Sequence, residues 1–138
     1  MKNIVLGIFA MALVASCGTM KNTSSSASKV GKAQPSIANT KWTLADNVKG
    51  QAPTLNIEGS KVNGNAGCNR YFGSVVMETA SGQFTPSGLG STKMACNNMS
   101  VEKNFLDMMQ KANKYVVSGT TLELYQDNLL LLKFNKSE

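Results

Sequence analysis

From Thr40 onward, apolar and polar positions alternate in short runs separated by turn residues. Trp42 and Leu44 alternate with Lys41, Thr43 and Ala45, which predicts an opening strand with one buried face. After Pro53, Leu55 and Ile57 alternate with Asn56 and Glu58. Gly59-Ser60 then turns the chain and Val62 and Gly64 return it, completing a hairpin. The run from Tyr71 to Glu78 is rich in β-formers, among them Tyr71, Phe72, Val75 and Val76. Ala80-Ser81-Gly82 turns into a short stretch around Phe84, and residues 86–93 (PSGLGSTK) read as irregular. The C-terminal end is a meander: Tyr115 to Ser118, a turn at Gly119-Thr120, a strand carrying Leu122 and Leu124, a turn at Asp127-Asn128, and a closing run from Leu129 to Phe134. Lys133 in that last run points Leu130, Leu132 and Phe134 to the core, and Leu129 and Leu131 outward or towards a neighbour.

One segment changes period. Val101, Phe105, Met108, Met109 and Ala112 recur at helical spacing, with Lys103, Asp107, Gln110 and Lys111 on the other face, which predicts a helix near 100–113. Ser100 is the expected cap, Glu102 suits the positive end of the helix dipole, and Asn113 is a stop. The apolar stripe fits a sheet face or a barrel mouth. Eight or so short strands and one helix predict a mainly β fold, a small antiparallel barrel or sandwich.

Before this domain the pattern is different. Met1-Lys2-Asn3 precedes an apolar run from Ile4 to Ala15, the n-region and h-region of a secretory signal, and too short for a membrane span of about 20 residues. Val14-Ala15-Ser16-Cys17 resembles a bacterial lipobox, so residues 1–16 are expected to be removed and Cys17 to carry lipid. Residues 17–39 then read as the lipidated cysteine and a flexible tether. Positions 18–39 hold seven Ser or Thr, three Lys and no acid, and lack usefully spaced apolar residues. Residues 40–138 form the folded domain.

Charge alters the picture little. The chain carries 14 basic and 8 acidic residues, a net +6. Lys2 lies in the signal and Lys21, Lys29 and Lys32 in the tether, so the domain retains 10 basic against 8 acidic residues, only +2. Without a basic cluster interleaved with aromatics, a nucleic-acid partner is not expected. The chain has no histidine, which excludes Ser-His-Asp and Cys-His catalysis and histidine-ligated zinc. Asp46, Glu58, Glu78, Glu102, Asp107, Glu123 and Asp127 are the carboxylates available for hydrolase chemistry; their spacing pairs no two of them, and solvated surface charge accounts for each. No catalytic residue, metal site or cofactor is therefore expected.

Three cysteines are present, and assigning Cys17 to the lipid anchor leaves Cys68 and Cys96. In an oxidising compartment the simplest state of such a pair is a disulfide; closing a loop of nearly 30 residues contributes about 3 to 4 kcal/mol. A two-thiolate metal site and a catalytic thiol are the rivals, and both lack further ligands or a base.

At these cysteines the chain resembles a known family. Trp42-x-Leu44, the Gly-x-x-Gly-Cys-Asn-x-Tyr-x-Gly run from Gly64 to Gly73, the Thr-x-x-Ala-Cys run ending at Cys96, the helix with Glu102 and Phe105, and Leu122-x-Leu124 are similar to the META domain of HslJ-type heat-shock lipoproteins. The resemblance implies a small barrel-like fold, compared with lipocalin topology, with one helix. It also implies an envelope location and a link to heat shock and novobiocin tolerance, and it names no catalytic residues. Cys68, Asn69, Tyr71, Gly73, Thr92 and Cys96 match the motif as a structural constellation. The functional alternative is a binding patch at one end of the barrel, built from Asn69, Arg70, Tyr71, Thr92 and Lys93. The expected function is that of a non-enzymatic, lipid-anchored envelope protein with a stress-tolerance or ligand- or protein-binding role. The alternatives are a structural spacer or, less favoured, a hydrolase using surface carboxylates. Gly18 after Cys17, with no acidic run following, points to the outer membrane and its periplasmic face.

Overall fold

The alternating residues line the inside of a closed eight-stranded antiparallel barrel. The computed structural model describes residues 26–138; the signal, Cys17 and the first part of the tether lie outside the described residues. The strands are β1 (Thr40–Leu44), β2 (Thr54–Glu58), β3 (Lys61–Asn65), β4 (Arg70–Glu78), β5 (Gln83–Ser91), β6 (Lys114–Ser118), β7 (Thr121–Gln126) and β8 (Leu129–Lys136). Each pairs with its successor, and β8 closes on β1 with Thr43 opposite Asn135. Period-2 alternation sends Trp42, Leu55, Ile57, Val62, Tyr71, Phe84, Leu122, Leu124 and Phe134 into one continuous core. Helix α1 (Met99–Lys111) joins β5 to β6 and lays Phe105 and Met109 on the same core. The Phe105 ring meets Tyr71 edge-on at 5.4 Å and Phe134 at 6.2 Å, so the helix fills the space that a ligand would take in a hollow barrel.

Four details differ from the sequence expectation. The first is the stretch 86–93, expected to be irregular, which is strand as far as Ser91. Its pairing with β4 shifts between Phe72 and Ser74, and Gly88 supplies a positive φ of 60° at the shift, so glycine and proline here mark a bulge. A second bulge corrects the placement of Leu130. Leu132 pairs with Leu124 but Leu130 pairs with Tyr125, which reverses the phase of the strand. Leu130 is consequently 45% exposed, while Leu131 packs partly against the core. The third concerns the helix cap, which is Asn98 and not Ser100. The Asn98 side chain leaves the helix uncapped and donates instead to the carbonyls of Lys49 and Gly67, at 3.1 and 3.2 Å.

The fourth concerns the end of the tether. The β5–β6 seam has only one register pair, Gln83 with Lys114. Beyond it β6 would present a bare edge, which in a sheet invites foreign strands. Residues expected to be flexible cover that edge. The Gln34 amide N–H donates to the Thr79 carbonyl at 2.7 Å, and its Oε1 accepts from the Val117 amide at 3.0 Å. Tyr115 Oη donates to the Pro35 carbonyl at 2.9 Å, and Ile37 is buried in the core. The segment lacks apolar periodicity because one amide side chain and main-chain bonds hold it, with Ile37 as its single large buried apolar group. Residues 30–39 thus belong to the folded unit, and the boundary expected at 40 falls earlier. On the other side of the single pair, α1 packs beside β5.

Two outcomes are expected. A chain starting at Thr40 should lose about 3 kcal/mol in urea unfolding, from Ile37 burial and the strap hydrogen bonds, against a chain starting at Ser28. Equal stability of the two would show that the strap contributes nothing. The chain's three tyrosines, Tyr71, Tyr115 and Tyr125, all have phenols pushed above their usual pKa of 10. Burial is the main cause for each, and at Tyr125 the Glu123 hydrogen bond and charge add to it. Below pH 10 the tyrosines are protonated whether the chain is folded or not, so they add no pH dependence there. Above it the unfolded chain releases protons that the fold retains, and stability falls with rising pH. Phenolate absorbance should therefore rise only together with unfolding; a phenol titrating near pH 10 in the folded protein would contradict this.

Candidate functional site

The turn between β3 and β4 folds on itself before it meets anything else. The Ala66 amide donates to the Asn69 carbonyl at 2.8 Å and the Gly67 amide to Asn65 Oδ1 at 2.7 Å. Gly67 has φ of 113°, and a Cβ there would lie 2.9 Å from Val101 Cγ1. Glycine is needed both for the backbone angle and for the approach of the first helical turn.

That approach brings Glu102 onto Asn69. Both side chains are buried, at 5% and 1% exposure. Glu102 Oε2 accepts from the Asn69 main-chain N–H at 2.7 Å, and Oε1 from Asn69 Nδ2 at 3.1 Å. The second Nδ2 proton goes to the Met94 carbonyl at 2.9 Å. Asn69 Oδ1 accepts from the Met94 amide at 2.7 Å and from Thr92 Oγ1 at 2.9 Å. All the donor and acceptor capacity of the Asn69 amide is used. Glu102 gains further from the helix dipole, since it sits in the first turn. Cys68 and Cys96 are disulfide-bonded, with Cα atoms 6.0 Å apart, immediately beside this network. Tyr71 donates from Oη to the Thr54 carbonyl at 2.7 Å and packs its ring on Phe105.

The five-residue patch expected from the sequence therefore separates. Asn69 and Tyr71 are inside, occupied with structure, and are corrected from binding candidates to internal braces. Arg70, Thr92 and Lys93 remain on the surface, although Thr92 also accepts from the Arg70 amide at 3.3 Å. Cys17 lies outside the described residues.

Two carboxylates expected at the surface are buried. Glu102 lies three residues before Phe105 and seven before Met109, on the apolar face of the helix, so its spacing already signalled an internal partner. Glu123 accepts from Tyr125 Oη at 2.8 Å and lies 3.8 Å from Lys133 Nζ. Its neighbours Leu122 and Leu124 are the only apolar alternation in view, and no sequence signal marks it as covered. Among the described residues no cluster of three or more Cys, Asp or Glu is arranged to hold a metal ion.

Two clefts flank the start of α1. An open one of about 540 Å³ lies between Lys49–Gln51 and the Gly67, Asn97 and Asn98 wall. A smaller one of about 190 Å³ has an apolar floor of Val48, Val101, Phe105 and Met108, below the 300 Å³ or so of a typical ligand pocket.

Residues 35–138 match the META domain. The chain belongs to the META domain family. The barrel is similar to a solved structure of a protein from Burkholderia xenovorans, with a TM-score of 0.62 and 26% identity, over 73% of this chain and 83% of that one. A second solved structure shares the fold at a TM-score of 0.56 and 17% identity, over 79% of this chain and 92% of that one. No curated protein matches the chain. In this META domain the Gly-Cys-Asn motif is a packing device. It joins the β3–β4 turn, the segment before the helix and the helix itself.

Asn69→Ala should lower stability by about 3 kcal/mol, because it leaves Glu102 Oε1 and the Met94 main-chain groups unpaired inside the protein while the main-chain bond to Oε2 remains. Asn69→Asp should cost at least as much, since it sets two carboxylates face to face. Arg70→Ala next to it should change stability by no more than about 0.5 kcal/mol. Urea unfolding of the three variants measures this, and a similar effect for Asn69→Ala and Arg70→Ala would dismiss the network as the brace.

Proposed function

We propose that this META-domain protein is an HslJ-type lipoprotein of the bacterial envelope. It is anchored through lipid on Cys17 to the outer membrane, facing the periplasm, and contributes to stress tolerance by binding another envelope component, without catalysis.

 The observation that supports this reading is that the groups able to do chemistry at the motif are already committed to one another. The Asn69 amide, the Glu102 carboxylate and the two cysteines form one closed internal network, and aromatic side chains fill the barrel. What remains for function is the outer surface, where Arg70 and Lys93 have no ion-pair partner among the described residues. The lipobox-like run ending at Cys17 supports the anchor and the envelope address.

Cells fed an alkyne-bearing fatty acid should label the wild-type protein, whereas Cys17→Ala should stay unlabelled and leave the membrane fraction. A photo-crosslinker at Lys93 should capture an envelope component in cells, and Arg70→Glu should weaken the capture. Labelling of Cys17→Ala would remove the anchor from this reading. Absence of any adduct from Lys93, with the protein correctly located, would leave the spacer role instead.

A further inference from the structure

The two ends of this barrel differ. Each strand runs antiparallel to its successor, so alternate connections lie at opposite ends. The strap bonds to the β2–β3 and β4–β5 turns: the Gly59 amide donates to Asn39 Oδ1 at 3.2 Å, and the Gln34 amide to Thr79. The chain therefore arrives at that end. The β1–β2 loop, the β3–β4 turn, the segment 92–98, the start of α1 and the β7–β8 turn stand at the other. Among the described residues six large apolar side chains are exposed. Met94, Met99, Leu129 and Leu130 belong to the far end, which leaves only Phe72 and Val76 for the barrel wall and none for the strap end. Free cations accompany them. Lys49, Arg70, Lys93 and Lys103 have no ion-pair partner among the described residues. Of the carboxylates at this end, Glu102 is internal, Asp107 pairs with Lys111 and Asp127 accepts from Asn113, so only Asp46 is left to balance four cations.

The internal brace holds part of this surface rigid. Asn69 fixes the Met94 main chain through both its amide and its carbonyl, yet the Met94 side chain is 61% exposed, next to Lys93. The Thr92 amide donates to the Arg70 carbonyl at 3.0 Å, which keeps the Lys93 segment beside the start of β4. Met99, 40% exposed, opens α1 just beyond the disulfide. The open cleft of about 540 Å³ adjoins them, walled by Lys49, Asn97 and Asn98, and the exposed Asn97 side chain makes no hydrogen bond among the described residues. A segment braced in this way loses little main-chain freedom when a partner docks. We propose that this end of the barrel docks a segment of another envelope protein that is net acidic and carries large apolar side chains. Its carboxylates meet Lys49, Arg70 and Lys93. Its apolar groups pack on Met94 and Met99, whose unbranched thioethers adapt to varied shapes. The Asn97 amide offers a donor and an acceptor to its main chain. Other partners use less of this surface. A sulfated or phosphorylated polymer would use the cations and leave the thioethers in water. With the anchor on Cys17, the chain enters at the strap end, so the far end faces away from the membrane that holds it. The inference deepens the binding role given above by naming the surface and the partner's chemistry, and it rests on that role.

In cells making the full-length chain, a photo-crosslinker at Lys49, Met94 or Met99 should join the same partner segment. Sequencing of the attached peptide should show it net acidic, with Leu, Ile, Phe or Met among its residues. A crosslinker at Lys136, at the strap end, should not join it. A synthetic peptide of that segment should bind the purified full-length chain in detergent. Lys49→Glu with Lys93→Glu should weaken this binding about tenfold, and Met94→Ser with Met99→Ser should weaken it similarly. Lys136→Glu makes the same change of charge at the other end and should bind as wild type. Lysines in place of the peptide's acids should restore binding to the charge-reversed variant. All these side chains are exposed, so every variant should unfold at the wild-type urea concentration. A captured segment that is neutral or basic would overturn the inference, as would capture of a lipid or a polysaccharide, or binding untouched by the charge reversal. Capture of a second copy of this chain would overturn it in favour of self-association. Adducts from Lys93 alone, with none from Lys49, Met94 and Met99, would sink this inference and leave the binding role intact. No adduct from any of the four would remove that role, and this inference with it.

Discussion

A single buried amide holds three separate pieces of this chain in place. Asn69 reaches the helix through Glu102, and the segment before the helix through Thr92 and Met94, while its own main chain shapes the β3–β4 turn. The segment from Thr92 to Asn97 is neither helix nor strand, so it has no ladder of its own to fix its path. The Asn69 hydrogen bonds and the Cys68–Cys96 bond do that work together. Their effects differ. The disulfide limits the freedom of the unfolded chain, whereas the amide selects one geometry, because each of its bonds is directional and an unmade one inside the protein is costly. With that geometry set, α1 descends over the barrel and delivers Phe105 between Tyr71 and Phe134.

The barrel closes by a compromise at one seam. Placing a helix between β5 and β6 leaves the two strands with one register pair. A sheet opened there would expose main-chain donors and acceptors, and two unrelated elements cover them. The helix covers the β5 side, and the strap around Gln34 covers β6. Gln34 acts where a neighbouring strand would, with a side-chain carbonyl in place of a main-chain one. This explains why a polar, low-complexity stretch is ordered. Its partners are main-chain groups, which exist at every residue and leave no trace in the pattern of apolar positions.

Much of the architecture was legible because side-chain alternation and strand burial are the same constraint seen from two directions. Trp42, Leu55, Ile57, Leu122 and Leu124 announced their faces correctly, and the change to helical spacing located both ends of α1 within two residues. Bulges defeated the same reasoning. One extra residue reverses the phase of everything beyond it, which is why Leu130 faces solvent and why 86–91 did not look like strand. At the motif, the disulfide was the simplest expectation for the cysteine pair and is present, but the fate of its neighbours was not legible. Asn69 and Arg70 are adjacent polar residues in one turn, and only one of them is inside.

By itself the sequence determined the class of fold, the number of strands to within the precision of its turn residues, and the helix, and it made Cys68 with Cys96 the simplest pairing once Cys17 was set aside for the expected anchor. The fold class, strands and helix follow from periodicity and turn chemistry, which are local properties; the Cys68–Cys96 bond itself is seen in the structure. The tertiary structure alone decided that Glu102 meets Asn69, that Gln34 completes the β6 edge, and that Phe72 is left standing on an outer face. These are contacts between segments from 33 to 83 residues apart, or the lack of one. The physical reason is that a polar side chain carries no preference for inside or outside until its partners are in place, since water satisfies it as well as a buried carbonyl does.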